Sequence, residues 1–219
     1  MRLLEIFCGT KSIGKVFEEN DWEVVSLDIE EKWKPTICTD ILEWDYTTFD
    51  KDHFNHIHFS PPCIYMSQMQ QSWYGRYKGT GDNKYLFTPE IHKTQLEESD
   101  KILIQIKKII EYFDNITFTI ENPYHTKFNN ITKRNILNYT FEIVDYCMYD
   151  YPIKKPTVFF NNFNLKLNTC NKLHSHTPYK KFCGGGSTPK NKVFTIPSLL
   201  VETIFKQIPP IHHLAKDAK

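Results

Sequence analysis

The sequence has no uninterrupted apolar run long enough to cross a bilayer, so it predicts no membrane span and no membrane association. Glu5 also interrupts the N-terminal stretch where a secretory signal peptide would continue its apolar core. The six cysteines are scattered over 219 residues, unlike the dense disulfide framework of a small secreted domain. We therefore expect a soluble intracellular protein, in the cytoplasm, or in the nucleus if the source is eukaryotic or viral.

Internal repeats and low-complexity segments are also missing. With 40% hydrophobic and 15% aromatic residues, the chain can bury enough apolar surface to fold, which excludes disordered, collagen-like and coiled-coil proteins. Its length is typical of one main domain with a single sizeable core.

Acidic residues are absent from residues 151–201, a stretch that contains eight lysines. Residues 1–150 carry the opposite excess, 24 acidic against 16 basic side chains, so the overall charge of +1 conceals a strong asymmetry. A lysine-rich run can be an ordinary solvated surface, but fifty residues without a carboxylate also suit contact with phosphates. A polyanion is the leading candidate partner.

The first half of the chain alternates between short apolar runs and helical periodicity. Strands are expected at Leu3–Phe7, Trp22–Asp28, Thr36–Ile41, Asn55–Phe59 and Ile116–Ile120, then at Thr140–Tyr146 and Val158–Phe160. Helices are expected after Gly9, over Gln95–Phe113 and over Ser198–Ile208, the last with Pro197 in its first turn. This order predicts an α/β fold, a doubly wound and mostly parallel sheet whose ligands lie beyond the carboxyl ends of the strands.

Residues 64–94 interrupt this alternation with glycines, aromatic residues and cations. We expect a long, mobile loop here, because loops of this length are uncommon unless they are functional. Aromatic side chains interleaved with cations suit stacking on bases and pairing with phosphates. An ordinary surface insertion is the alternative.

The first strand ends in Phe7-Cys8-Gly9-Thr10, and Asp28 ends the second strand, a pattern typical of a nucleoside site. Gly9 allows close approach of the backbone, and an acidic side chain at the second strand accepts hydrogen bonds from ribose hydroxyls. Lys11 occupies a place where a dinucleotide fingerprint has glycine, which favours a ligand without a pyrophosphate, such as S-adenosylmethionine. Asp40 is a candidate acceptor for the adenine amino group, although either aspartate also suits a simple turn or cap.

A candidate nucleophile follows the fourth strand in Ser60-Pro61-Pro62-Cys63, where two prolines fix the backbone before the thiol. Glu121-Asn122-Pro123 follows the neighbouring strand and supplies a carboxylic acid. Addition of a thiolate to C6 of a pyrimidine makes C5 nucleophilic, and an acid at N3 disperses the resulting charge. A buried structural cysteine is the alternative.

Taken in order, these motifs resemble those of the cytosine-5 DNA methyltransferases. The resemblance covers Phe7-Cys8-Gly9, Asp28-Ile29, Asp40-Ile41, Ser60–Cys63, Glu121-Asn122 and Ile196–Leu200. It implies a Rossmann-like S-adenosylmethionine-dependent methyltransferase fold with a small basic, loop-rich insertion. Residues 1–160 and 191–219 would form the catalytic domain that binds S-adenosylmethionine, and residues 161–190 would form a reduced target-recognition region. Single motifs carry a false-positive risk that their shared order reduces.

The resemblance also assigns residues to roles. It implies catalytic roles for Cys63, Glu121, Lys155 and Ser67, and cofactor contacts for Phe7, Gly9, Thr10, Asp28, Ile29, Asp40, Ile41, Pro61 and Ile196. Lys155 and Thr157 fall where the family has two arginines. The expected reaction is methyl transfer from S-adenosylmethionine to C5 of a flipped DNA cytosine through a Cys63 adduct. The departures at Lys11, Pro123 and Thr157 put the turnover rate in doubt more than the reaction type.

The reduced recognition region predicts short or relaxed sequence specificity, because reading base edges needs a stiff element. A second, unknown protein that supplies the specificity is the alternative. Within the region, Cys170, His174, His176 and Cys183 are possible zinc ligands, but their spacing is not that of a standard finger. We therefore expect free thiols and solvated histidines, and no metal.

Three other functions remain open from the sequence. The same chemistry could act on RNA, since no feature reads a 2′-hydroxyl. An exocyclic amino methyltransferase also uses a Pro-Pro motif but does not need Cys63. A catalytically silent DNA-binding or partner subunit is the third, although the retained Cys63 and Glu121 disfavour it.

Overall fold

A computed structural model describes residues 1–66, 68–126, 130–177 and 195–210. The described strands are β1 (Arg2–Ile6), β2 (Glu23–Asp28), β3 (Ile37–Cys38), β4 (His56–Phe59), β5 (Tyr77–Lys78), β6 (Tyr85–Leu86), β7 (Thr117–Pro123), β8 (Thr140–Asp145) and β9 (Pro156–Asn161). The α-helices in these residues are α1 (Ser12–Glu18), α2 (Pro89–Tyr112) and α3 (Ser198–Phe205). None of these helices is long and apolar enough to span a membrane.

Seven strands form one sheet in the order β3-β2-β1-β4-β7-β9-β8. The first five are parallel, and β9 runs antiparallel to both of its neighbours. The chain crosses from one side of β1 to the other between β3 and β4, and the carboxyl ends of the parallel strands meet near this switch point. The predicted α/β fold with a mostly parallel sheet is confirmed.

Helices cover both faces of the sheet. On one face, the buried side of α2, including Leu103 and Ile106, packs against alternate residues of the central strands such as Ile57. On the other face, α1 and α3 pack together, with Phe17 and Leu200 in one buried cluster. This double layer buries every residue of β4, including the polar His56 and His58.

The segment after Cys63 differs from the expected loop. Gln68–Trp73 forms a 3-10 helix, β5 and β6 form an antiparallel hairpin, and α2 begins at Pro89 rather than at Gln95. Thr88 caps α2 by accepting a hydrogen bond from the backbone N–H of Ile91 at 3.3 Å. The prediction of an unstructured loop was therefore wrong. Short-range turns and the buried side chain of Phe87 hold the segment in place. The sequence of the segment has no apolar periodicity from which this structure can be predicted.

Smaller differences concern element ends. Glu121 and Asn122 lie inside β7 rather than after it, because β9 continues the ladder beside them. The last helix ends at Phe205, and Pro197 is its N-cap instead of a first-turn residue. The region boundary at residue 161 stays a prediction, as part of residues 161–190 lies outside the described residues; Leu165, within that region, is buried in the core beneath α1 and α3.

Candidate active site

A cleft of about 370 Å³ opens at the carboxyl ends of the parallel strands. Its size is within the range of small-molecule sites. The lining residues combine apolar and aromatic walls with three carboxylates: Phe7, Leu27, Asp28, Ile29, Glu30, Trp33, Thr39, Asp40, Ile41, Ser60, Pro62 and Ile102. Such a mixture suits a nucleoside, which has an apolar base and a polar sugar.

The turn between β1 and α1 lies at the carboxyl ends of the parallel strands, next to the cleft. Phe7, Gly9 and Lys11 all have positive φ, at 61°, 45° and 55°. Gly9 adopts this conformation without penalty, whereas Lys11 takes the left-handed region although it carries a Cβ. The Lys11 ammonium donates a hydrogen bond of 2.6 Å to the carbonyl of Lys34, which ties the turn to the loop after β2.

Asp28 organises the backbone around the cleft. One of its carboxylate oxygens accepts a hydrogen bond from the Gly9 N–H and the other accepts one from the Glu30 N–H, both at 2.9 Å. Each oxygen keeps a further lone pair, so the carboxylate can still accept a ligand hydroxyl. Asp28 therefore shapes the turn as well as lining the cleft.

Glu5 supports the same turn from below. Its side chain is buried, and it accepts a hydrogen bond of 3.2 Å from the backbone N–H of Ile13 at the start of α1. Burial raises the pKa of Glu5 from 4.5 to about 7, against the lowering effect of hydrogen bonds from the backbone of Gly14 and Ile13. Its other oxygen is buried without a hydrogen-bond partner, which adds to the cost of holding a charge there.

The predicted cofactor contacts divide into two groups. Five of them line the cleft: Phe7, Asp28, Ile29, Asp40 and Ile41. Gly9 contacts the cleft indirectly through Asp28, while Thr10, Pro61 and Ile196 are not among its lining residues. Ile196 instead packs in the core between α1 and α3, and its N–H donates a hydrogen bond to Ser12. Sequence reasoning missed Glu30 and Trp33, whose positions depend on a short 3-10 helix after β2.

Cys63 follows β4 beside the cleft. The prolines before it are held by Asn122, whose side-chain amide donates a hydrogen bond of 3.0 Å to the carbonyl of Pro61. Burial and the Glu121 carboxylate raise the pKa of the Cys63 thiol, and the Lys155 ammonium opposes that effect. The thiol therefore lies within electrostatic reach of both groups. Ser67 lies outside the described residues.

Glu121 is buried on β7, where it contacts one side chain that follows β8 and another that precedes β9. The hydroxyl of Tyr146 donates a hydrogen bond of 2.9 Å to a Glu121 oxygen, and the Lys155 ammonium lies 4.0 Å from the same oxygen. Lys155 also lies over the Tyr146 ring, 4.6 Å from its centre. Burial and the Glu121 carboxylate raise the pKa of Tyr146 well above its ordinary value, so it remains a donor.

Thr157 lies next to this group, fully buried on β9 opposite Pro123. Its hydroxyl donates to the carbonyl of Lys155 at 3.3 Å. The structure thus places an uncharged side chain at residue 157, and Lys155 supplies a cation near Glu121.

A row of buried polar residues leads from the core to the site. His58 on β4 bonds to Thr119 on β7 at 2.8 Å and to Ser60 at 2.9 Å. Burial lowers the pKa of His58 to about 3, so the ring is neutral and one nitrogen donates while the other accepts. This row fixes Ser60 at the edge of the cleft without adding charge.

Aromatic and basic side chains are exposed in the part of the chain between Cys63 and the end of β6. Trp73, Tyr74, Tyr77 and Tyr85 are each more than a third exposed, and Ile64 is 57% exposed. The Lys84 ammonium lies 5.0 Å from the centre of the Tyr77 ring. The backbone of Tyr65 accepts a hydrogen bond of 2.7 Å from the buried His92 of α2, which anchors this surface near the thiol.

No protein-family model matches the sequence. The chain is 32% identical over 160 residues to a protein of Frog virus 3 named "Probable DNA (cytosine-5)-methyltransferase", covering 72% of this chain and 68% of that protein.

Among solved structures, it resembles the Entamoeba histolytica methyltransferase EhMeth, with a TM-score of 0.53 and 16% identity over 80% of this chain and 57% of that one. The S. pombe Dnmt2 methyltransferase gives a TM-score of 0.47 with 15% identity, over 89% of this chain and 58% of its own. The chain spans little more than half of these two structures. The first likeness confirms the Rossmann-like methyltransferase fold.

Proposed function

Because this chain belongs to the cytosine-5 methyltransferase family, we propose that it transfers a methyl group from S-adenosylmethionine to C5 of cytosine in DNA. The observation that carries the proposal is the grouping of four side chains, Glu121, Tyr146, Lys155 and Cys63, near the carboxyl ends of β4 and β7. The Glu121 carboxylate is held by Tyr146 and Lys155, and the Cys63 thiol lies within the field of both charges. The name of the Frog virus 3 relative supports DNA as the substrate.

The cleft residues fit the cofactor that this family uses. Asp28, Glu30 and Asp40 would accept hydrogen bonds from hydroxyl and amino groups, and the Trp33 ring and Ile41 would contact the adenine. When bound, S-adenosylmethionine supplies an electrophilic methyl group. Ser60 and Pro62 belong both to this cleft and to the motif that ends in Cys63, so the two sites are adjacent.

The residues beside the cleft suit activation of the cytosine ring. The Cys63 thiolate would form a bond to C6, and the electron pair of the C5–C6 double bond would then be available at C5 for the methyl group. Glu121, held by Tyr146 and Lys155, would in its carboxylic acid form donate its proton in a hydrogen bond to N3 and so disperse the charge that the addition creates. Transfer of the C5 proton to solvent water would then return the C5–H electron pair to the C5–C6 double bond, and cleavage of the sulfur–C6 bond would release the Cys63 thiolate and restore the aromatic ring.

Access to the base requires that it leave the duplex, at a cost of roughly a few kcal/mol. The exposed Trp73, Tyr77 and Tyr85 suit stacking on unpaired bases, and nearby Arg76 and Lys84 suit contact with phosphates. Lysines of residues 151–201 would add to the phosphate contacts, and the absence of acidic residues there avoids repulsion.

The test is covalent trapping with matched DNA and RNA that contain 5-fluorocytosine, in the presence of cofactor. The fluorine blocks proton loss, so an active enzyme remains bonded to the base. We expect a stable adduct with DNA for the wild type and for Cys38→Ala, and none for Cys63→Ala, which still binds cofactor.

Each other outcome contradicts part of the proposal. An adduct with RNA alone would show that the substrate is RNA and not DNA. Methyl transfer without an adduct, or transfer by Cys63→Ala, would refute the covalent mechanism. Tight binding of DNA with no turnover on varied sequences would instead indicate a silent subunit.

A further inference from the structure

Four metal-ligating side chains meet at the end of β8, outside the candidate active site. We propose that Cys147, Cys170, His174 and His176 bind a structural zinc ion. One ligand atom from each residue lies within 4.8 Å of all the others. The Cys170 sulfur is 3.4 Å from Nε2 of His176 and 4.0 Å from Nε2 of His174.

These distances are close to those of a tetrahedral site. With Zn–S bonds of about 2.3 Å and Zn–N bonds of about 2.0 Å, neighbouring ligand atoms lie about 3.3 to 3.8 Å apart. Side-chain rotations that shift the ligand atoms by about 1 Å would bring all four to that spacing. Two sulfur and two imidazole ligands form a closed set that is typical of structural zinc.

The structure also supports the ligands from outside the cluster. The backbone N–H of Cys170 donates a hydrogen bond of 2.8 Å to the buried Asp145, and the N–H of Lys172 donates one of 3.3 Å to the Cys170 sulfur. Lys172 adopts a positive φ of 63°, which turns the chain back so that His174 and His176 face the sulfur. Groups that orient metal ligands in this way are a regular part of metal sites.

The segment that carries three of the ligands needs such a support. Residues 168–177 contain no helix or strand, and Leu173 is 85% exposed. Backbone hydrogen bonds hold its two ends, from the Asp145 N–H to the Asn168 carbonyl and from the Thr177 N–H to the Pro152 carbonyl. A metal would connect its middle to Cys147, which lies in the short 3-10 helix Tyr146–Met148 after β8, and would make the segment a stiff unit despite its lack of a core.

The set differs from the one that the sequence suggests. Spacing along the chain points to Cys183 as the fourth ligand, whereas the fold brings Cys147, 23 residues before Cys170, into that place. Cys183 lies outside the described residues. This difference provides the sharpest test, because two single substitutions separate the alternatives.

The experiment uses the full chain, purified under reducing conditions with zinc sulfate and then dialysed. We expect one zinc per chain in the wild type, in Cys183→Ser and in the exposed-cysteine control Cys38→Ser. We expect loss of zinc in Cys147→Ser, Cys170→Ser and His176→Ala. Cobalt(II) in place of zinc should give the visible absorption of a tetrahedral site together with a thiolate charge-transfer band.

A conservative variant separates loss of a ligand from loss of the fold. Cys147→His should keep the tetrahedral cobalt spectrum, with a weaker thiolate band because one sulfur is replaced. The proposal is overturned if the wild type binds no zinc, if Cys183→Ser loses the metal while Cys147→Ser keeps it, or if Cys147 and Cys170 form a disulfide in the purified protein. None of these readouts depends on methyl transfer, so the metal site and the proposed function stand or fall separately.

Discussion

The hydroxyl of Tyr146 donates a hydrogen bond of 2.9 Å to the buried carboxylate of Glu121. Tyr146 follows β8 at the edge of the sheet, and Glu121 lies on β7, with β9 between them. The tyrosine therefore reaches across one strand to hold the acid. A fixed carboxyl can point at a substrate base without a cost in side-chain entropy when the base binds.

Removal of that hydrogen bond should slow methyl transfer. In Tyr146→Phe, Glu121 loses a donor while the ring still fills its place in the core. A hydrogen bond to a charged group contributes about 1.5 to 3 kcal/mol, so we expect the single-turnover rate to fall roughly 10- to 100-fold, with unchanged cofactor affinity.

Tyr112→Phe is the matched control. Its hydroxyl donates to the carbonyl of Phe49 at 2.8 Å, on the α2 side of the sheet and away from the candidate site. It should leave the single-turnover rate unchanged. Equal rates for Tyr146→Phe and the wild type would show that Tyr146 does not position the acid.

The carboxylate of Asp28 should be more important for cofactor binding than for the chemical step. In Asp28→Asn, the amide offers one accepting oxygen, so one of the N–H groups of Gly9 and Glu30 loses its acceptor. We expect cofactor affinity, measured by calorimetry, to fall about 10- to 100-fold, with a smaller effect on the rate at saturating cofactor. Glu31→Gln, an exposed acidic neighbour, should bind as the wild type does; a similar loss there would mean that general charge matters.

Glu5 should make stability depend on pH. Its folded pKa of about 7 lies above the ordinary value of 4.5, so the folded state holds the proton more tightly. The stabilisation that comes from this tighter proton binding is fully present below about pH 4.5 and is lost as the pH rises to about 7. The free energy of unfolding should therefore fall by roughly 3 kcal/mol over this range.

The measurement is the free energy of unfolding in urea, from about pH 5 to about pH 8. Glu5→Gln should gain stability relative to the wild type over this range, because its amide cannot ionise. Glu43→Gln, at an exposed position, should show a constant difference from the wild type. A constant difference for Glu5→Gln as well would mean that burial does not perturb this carboxyl.

Gly14 lies where α1 comes closest to Glu5. A Cβ at this position would lie 2.6 Å from a Glu5 oxygen and 3.1 Å from a methyl carbon of Val24. Gly14→Ala gains helix propensity, but the clash should outweigh it and lower the free energy of unfolding by about 1 to 2 kcal/mol. Thermal unfolding measures the change, and Lys15→Ala, exposed on the same helix, should be nearly neutral. A stabilised Gly14→Ala would show that Glu5 can move away.

Much of the site follows from local pattern. Gly9 and Cys63 follow short strands and Asp28 ends one, and parallel strands bring such ends to one edge of a sheet. Glu121 is a less simple case, because it lies inside β7, where β9 lengthens the ladder. Glu30 and Trp33 escaped prediction, since the 3-10 helix that places them leaves no periodic signal.

The sequence alone determined the order of strands and helices, the mostly parallel sheet and the group of motifs at its carboxyl edge, because apolar periodicity and turn residues act over a few positions. Only the tertiary structure decided that Tyr146 meets Glu121 and that Cys147 joins Cys170 and the two histidines. These contacts depend on the antiparallel return of β9 and on its register with β8. That register is set by the packing of the whole sheet, so no short stretch of sequence records it.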